Sequence, residues 1–318
     1  MTHIRIAVAG AAGAFGVKHL EALASIPEVT VASIIDFDTD KMGALAHQYK
    51  IEHCTNSLTE TLDRDDIDAV ILATPTQLHA KQAIECMTAG KHVMIEIPMA
   101  DKIEDARQLV EIQKQTGLVA MAGHTRRFNP SHQWIHNKVQ AGELTIQQMD
   151  IQTYFFRRTN TNAKGEIRTW TDHLLWHHAC HSVDLFLYQT GRPIEKMHAL
   201  QGRIDDNLNI AMDMNIIMKS RSDALCTLSL SFNNEGPFGT FFRYICDNGT
   251  YTARYDELYD GHGNPVDLSG VAVSMNGIEL QDREFITAIK ESRAPNSNVK
   301  QCLETMETLH KLEEILEL

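Results

Sequence analysis

The stretch Asp172-His173-Leu174-Leu175-Trp176-His177-His178-Ala179-Cys180-His181-Ser182-Val183-Asp184 gathers four histidines between two aspartates. A neutral imidazole, with a pKa of about 6.5, takes a hydroxyl proton at physiological pH, which is what alcohol or hemiacetal oxidation asks of a side chain. If the segment is helical from Asp172, His173, His177 and His181 follow one another at i, i+4 spacing on one face, with Asp184 three residues on and His178 pointing elsewhere. The same histidines serve as well to cap or pack a helix. Histidines at this spacing can also chelate zinc, but the short Cys and His spacings of structural zinc sites are missing, and no metal is expected.

A second group is cationic. Arg126-Arg127-Phe128-Asn129-Pro130 and Arg157-Arg158 carry guanidinium forks that match carboxylates bidentately. An anionic substrate needs such a local pocket, because the chain has 29 basic against 42 acidic side chains and a formal charge of -13. Arg126, Arg127 and Asn129 are therefore candidate substrate residues, joined by His173 and by Trp170, which with Trp176 could flank a flat unsaturated ring. Arg158 and Arg168 read better as solvated charge. The expected partner is a small anionic dicarboxylate; the same negative balance argues against nucleic acid and anionic membranes.

These groups need a frame, and the N-terminal third has its pattern. Ile4–Ala9, Val29–Ile35, Ala69–Ala73, His92–Ile95 and Leu118–Ala122 read as strands, separated by helical stretches at Val17–Ser25, Lys41–Tyr49, Gln77–Ala89 and Ile103–Thr116. That βαβ alternation predicts an α/β, doubly wound parallel sheet of the Rossmann kind. Directly between the first strand and helix lies Gly10-Ala11-Ala12-Gly13-Ala14-Phe15-Gly16, where a pyrophosphate would sit on a helix N-terminus. Gly10, Ala12, Gly13, Ala14, Phe15 and Gly16 are the candidate cofactor contacts there. Asp36, ending the second strand, stands where a carboxylate accepts hydrogen bonds from an adenosine ribose diol and repels a 2′-phosphate. NAD is favoured; NADP stays open through Lys41.

Beyond Pro130 the rhythm changes. One helix near Ser131–Gln140 precedes a long β-type run at Ile146–Arg158, with further strands at Asn209–Lys219, Ala224–Ser231 and Phe241–Cys246 and helices at Phe285–Glu291 and Val299–Leu316. This predicts an α+β second domain over 124–318, after a dinucleotide-binding domain over 1–123. Six cysteines without Cys-x-x-Cys spacing read as reduced cytoplasmic thiols, and the interrupted apolar run Ile4–Val17 supports neither a signal peptide nor a membrane span.

Several blocks together resemble the glucose-fructose oxidoreductase and inositol dehydrogenase family: Ala73-Thr74-Pro75-Thr76-Gln77-Leu78-His79, Ala89-Gly90-Lys91-His92-Val93, Glu96-Ile97-Pro98, Arg126-Arg127-Phe128-Asn129-Pro130 and His181-Ser182-Val183-Asp184. The resemblance implies a Rossmann domain, a second domain with a mainly antiparallel sheet, a nicotinamide cleft between them, and homodimers or higher homo-oligomers built through that sheet. It further implies that Thr74, Pro75, His79, Glu96 and Ile97 line the cofactor. The chain departs from the family twice: Ile97 stands where the catalytic lysine is kept, and His177 where an aspartate precedes the motif histidine. Proton transfer then falls to His181, with His177 as partner, Asp184 holding the tautomer and Ile97 as an apolar wall. A family dehydrogenase acting on a sugar or polyol, and a non-catalytic dinucleotide sensor, are the alternative readings.

Overall fold

A computed structural model describes residues 3–161, 172–272 and 277–316. The chain divides into two compact units, residues 1–125 with 274–303, and 126–273 with 304–318. Beside the single cut expected at 123/124, the division is discontinuous, because helix α8 (Gly277–Glu291) returns to pack against the first helix, α1 (Ala14–Ala24).

The first unit holds a six-stranded parallel sheet. Its strands are β1 (Ile4–Ala9), β2 (Val29–Ile35), β3 (His53–Thr55), β4 (Ala69–Leu72), β5 (His92–Ile95) and β6 (Ala120–Ala122), in the order β3-β2-β1-β4-β5-β6. Helices α1 (Ala14–Ala24), α2 (Thr39–Tyr49), α3 (Leu58–Leu62), α4 (Thr76–Thr88) and α5 (Ile103–Thr116) connect them, and α8 (Gly277–Glu291) joins from later in the chain. Strands β1, β4 and β5 are near-continuous runs of buried apolar residues, as parallel strands covered on both faces must be. The order reverses between β1 and β4. A doubly wound sheet binds its ligand at the carboxyl ends of the strands beside such a switch point.

The second unit is built on a seven-stranded mixed sheet, ordered β13-β12-β11-β7-β10-β9-β8. Its strands are β7 (Ile146–Tyr154), β8 (Ile194–Gln201), β9 (Asp213–Ser220), β10 (Leu225–Ser231), β11 (Gly239–Cys246), β12 (Gly249–Arg254) and β13 (Glu257–Asp260). All neighbours are antiparallel except β7 and β10. Buried Met149, Ile151 and Thr153 alternate along β7 with residues on the other face, which is the pattern of a sheet covered on one side. Helices α6 (Pro130–Gln140) and α7 (Cys180–Thr190) belong to this unit, and α9 (Val299–Leu316) follows α8. The run expected to continue to Arg158 ends at Tyr154, so Arg157 and Arg158 lie beyond the strand. No described helix is long and apolar enough to cross a membrane.

Candidate functional site

In the first unit, β1 delivers the glycine turn. Gly10 has φ +75, and a Cβ there would collide with the Ala73 carbonyl and the Thr74 amide; one on Gly16 would collide with the Gly10 carbonyl. Only glycine allows this fold of the backbone, and the missing side chains leave a bare cradle. Gly13 caps α1 without a side-chain hydrogen bond, so the first-turn N–H groups of Ala14, Phe15 and Gly16 point to the ligand side, where a pyrophosphate is best held. Asp36 directly follows β2, beside this turn. Its carboxylate accepts from the amides of Ala12 at 2.8 Å, Phe37 at 2.7 Å and Asp38 at 3.0 Å, which locks it at the mouth of the turn. Lys41 donates its Nζ to the Ala12 carbonyl, placing one cation beside that carboxylate.

The other cofactor candidates stand at the ends of β4 and β5. Thr74 and Pro75 precede α4, and the Thr74 hydroxyl donates to Gln82 at 2.6 Å. His79 is buried, with Nε2 at 2.7 Å from the Thr74 carbonyl and Nδ1 at 2.8 Å from that of Pro98. Burial holds its pKa below the ordinary value against the pull of those carbonyls, so His79 ties two loops together rather than presenting a free ring. Ile97 is half-buried, and Glu96 is buried with Oε1 at 3.0 Å from Nε2 of His19. His19 in turn lies 3.0 Å from both oxygens of Asp282. Burial alone would lower His19, but Asp282 and then Glu96 outweigh it and push it up to about 10.

In the second unit the histidine cluster opens with a π-helical turn, Leu174–Ala179, that runs into α7. The expected continuous face of His173, His177 and His181 is therefore broken: a π turn is wider than an α turn, and His173 lies outside it as the N-cap. The first two histidines cap reciprocally. Leu175 N–H donates to Nδ1 of His173 at 3.2 Å, and His173 N–H donates to Nδ1 of His177 at 2.9 Å. An accepting Nδ1 bears no proton, so each neutral ring carries its proton on Nε2. Burial lowers the pKa of His173, and it drives His178, packed between Phe155 and Phe232, to about 4. His181 is half-buried in the first turn of α7.

Asp184 and Arg127 occupy each other. Nε of Arg127 donates to one oxygen of Asp184 at 2.8 Å and Nη2 to the other at 2.6 Å, while the Thr305 hydroxyl adds a 3.1 Å bond. Both side chains are buried, and the Arg127 guanidinium also lies over Tyr188. Its fork is thereby spent within the unit, against the expectation of a substrate clamp. Arg126 differs. It is half-buried over the ring of Tyr255, with Asn129 Oδ1 at 3.4 Å, and Asn129 is itself held by Asp256 at 2.7 Å. Arg157 pairs with Asp172 and lies over Phe232. Trp176 is buried and donates to Glu313 at 2.7 Å, which is a packing role; Trp170 and Arg168 lie outside the described residues. Sequence reasoning missed His19, Asp282, Tyr255 and Asp256, because residues so far apart along the chain share no spacing that would join them.

The family described as an oxidoreductase family with an NAD-binding Rossmann fold matches residues 4–124, and the C-terminal family of bacterial oxidoreductases matches residues 130–272. The chain is 62% identical over 314 residues to the 4-carboxy-2-hydroxymuconate-6-semialdehyde dehydrogenase of Sphingobium sp. (strain NBRC 103272 / SYK-6), covering 99% of each. Among solved structures, it aligns with a UDP-N-acetylglucosamine 3-dehydrogenase from Acidithiobacillus ferrooxidans at TM-score 0.84 and 20% identity, over 100% of this chain and 99% of the other. The scyllo-inositol dehydrogenase from Lactobacillus casei, solved with bound NAD(H) and scyllo-inositol, aligns at TM-score 0.81 and 18% identity, over 99% of this chain and 97% of that one. With a glycine turn between strand and helix in the parallel-sheet unit, a mixed sheet in the second, and a relative alike along almost its whole length, the chain belongs to the NAD-binding Rossmann oxidoreductase family of glucose-fructose oxidoreductase and inositol dehydrogenase.

Proposed function

We propose that this protein oxidises 4-carboxy-2-hydroxymuconate-6-semialdehyde with NAD. The observation that carries the reading is the 62% identity over nearly the full chain to a dehydrogenase of that name. The chemistry of the compound fits the residues described. Its 2-hydroxyl can close on the 6-aldehyde to give a six-membered cyclic hemiacetal, and loss of hydride and proton from that hemiacetal carbon and its hydroxyl yields a lactone, 2-pyrone-4,6-dicarboxylate. NAD, held by the glycine turn and Asp36, would supply the hydride acceptor. The proton is left to the protein, and with Ile97 in place of lysine the side chain for it is His181. His177 plays a different part: a ring whose Nδ1 accepts from the backbone offers Nε2–H, a donor that orients the hydroxyl oxygen and does not itself take the proton.

Two carboxylates must be bound as well. Arg126, lying flat over Tyr255, presents a guanidinium to one of them, and Arg127 stiffens the Asp184 end of α7 from behind. Ile97 supplies an apolar wall at the end of β5, and Asp36 selects a free ribose diol and so NAD, with Lys41 close enough for NADP to bind too. Self-association follows from the second unit's sheet. Leu200, Ile217 and Leu225 stand 78%, 54% and 43% exposed on its open face, where a second copy would cover them. The test is direct: purified protein, NAD and the semialdehyde are mixed while reduced nicotinamide is followed by absorbance and the product by mass spectrometry. Stoichiometric reduced nicotinamide and pyrone dicarboxylate are expected; neither forming would refute the assignment.

A further inference from the structure

His19, Glu96 and Asp282 form a closed buried group inside the first unit, drawn from three elements. His19 lies in α1, the helix that opens at the glycine turn; Glu96 directly follows β5 at the carboxyl edge of the sheet; Asp282 is on α8. His19 and Asp282 are wholly buried and Glu96 is 9% exposed. Both ring nitrogens of His19 face carboxylate oxygens at 3.0 Å, so with both acids ionised the ring satisfies them only as an imidazolium donating twice. Burying a lone carboxylate so deeply would be costly; a charged partner with good hydrogen-bond geometry offsets that cost. The second oxygen of Glu96 turns to the Ile97 amide at 3.4 Å, and the backbone of Gly123 presses on the same carboxylate, where a Cβ would lie 3.1 Å from Oε1.

Oε1 of the Glu96 carboxylate is thus held by His19, a residue of the helix that opens at the glycine turn, while Oε2 meets the Ile97 amide. We infer that His19 and Asp282 are positioning residues for NAD: Asp282 orients the His19 ring, which fixes the Glu96 carboxylate at the cofactor edge of the sheet. Neither His19 nor Asp282 touches the dinucleotide. The inference rests on the reading that Glu96 lines the cofactor, and its test separates the two.

The affinity for NADH is read by fluorescence titration of the folded full-length protein as wild type, H19Q, D282N, E96Q and the doubles H19Q/E96Q and D282N/E96Q. Losing one charged hydrogen bond in this chain should weaken NADH about tenfold to a hundredfold in each single variant. Because His19 and Asp282 act through Glu96, each double should bind no worse than E96Q by more than about twofold, an interaction energy that independent sites lack. Turnover at saturating NAD should move far less than the Michaelis constant for NAD. Unchanged affinity in H19Q and D282N beside a weakened E96Q overturns the positioning role; unchanged affinity in E96Q overturns the reading of Glu96 beneath it. Multiplicative losses in the doubles also overturn it. The wild type gives a measurement that needs no variant: ring ¹⁵N resonances should show His19 doubly protonated at pH 8 and shifting on NAD saturation. A singly protonated ring, or resonances blind to NAD, contradicts the inference.

Discussion

The two neighbouring arginines show how a single residue position decides a role. Arg127 spends its fork on Asp184 at 2.8 and 2.6 Å inside the second unit, whereas Arg126 lies half-buried over the ring of Tyr255, with a longer 3.4 Å bond to Asn129. Truncating Arg126 to alanine should therefore raise the Michaelis constant for the dicarboxylate about tenfold to a hundredfold while the thermal midpoint changes little. Arg127→Ala should do the reverse, because it leaves Asp184 as an unpaired buried charge; a loss of about 3–5 kcal/mol is the scale for such a break. Steady-state kinetics and thermal unfolding of the two variants check this. The adjacency Arg126-Arg127 was legible in the sequence, and so was its fit to carboxylates. Which of the pair is committed was not, since that depends on Asp184 and Tyr255 arriving from distant segments.

At the scale of elements, the decisive feature is the π turn that leads into α7. A regular helix would have stacked His173, His177 and His181 on one stripe; the wider turn instead leaves His173 as N-cap and makes His177 the acceptor for its amide. His177→Asn keeps an acceptor near the Nδ1 position and removes the Nε2 donor, so the helix start should survive while turnover falls about tenfold or more. His181→Asn should cut turnover by about a hundredfold, the usual scale for losing a general base, with NAD affinity preserved. Rates of both variants across pH, beside NADH titrations, decide between these roles: loss of the basic limb belongs to His181 alone. Sequence periodicity is enough to find the parallel strands other than the short edge strand β3, because segments such as Ile4–Ala9 and His92–Ile95 are apolar runs bounded by turns. It misses β3, β8, β12 and β13, which are short or amphipathic strands whose pairing with neighbours decides them, and it cannot see a π turn, whose composition is that of any helix.

The whole molecule combines an acidic net charge, a Rossmann unit completed by a helix from far along the chain, and a second unit whose sheet leaves Leu200, Ile217 and Leu225 exposed as a strip among polar neighbours on its open face. Ile217→Glu places a charge in the middle of that strip, between Leu200 and Leu225, and should shift the solution mass by light scattering from an oligomer toward a monomer; an unchanged mass means that assembly uses another surface. Ile97 stands where the family resemblance implies a lysine, and the carboxylate contact proposed for Arg126 is one that a polyol does not offer. Specificity is where that difference must appear. The most direct measurement is the ratio of kcat/KM for 4-carboxy-2-hydroxymuconate-6-semialdehyde to that for an inositol, with NAD, in the wild-type protein. A ratio of about 10³ or more in favour of the semialdehyde is expected for a site built around carboxylates. A ratio near one, or turnover of the inositol alone, would contradict the account.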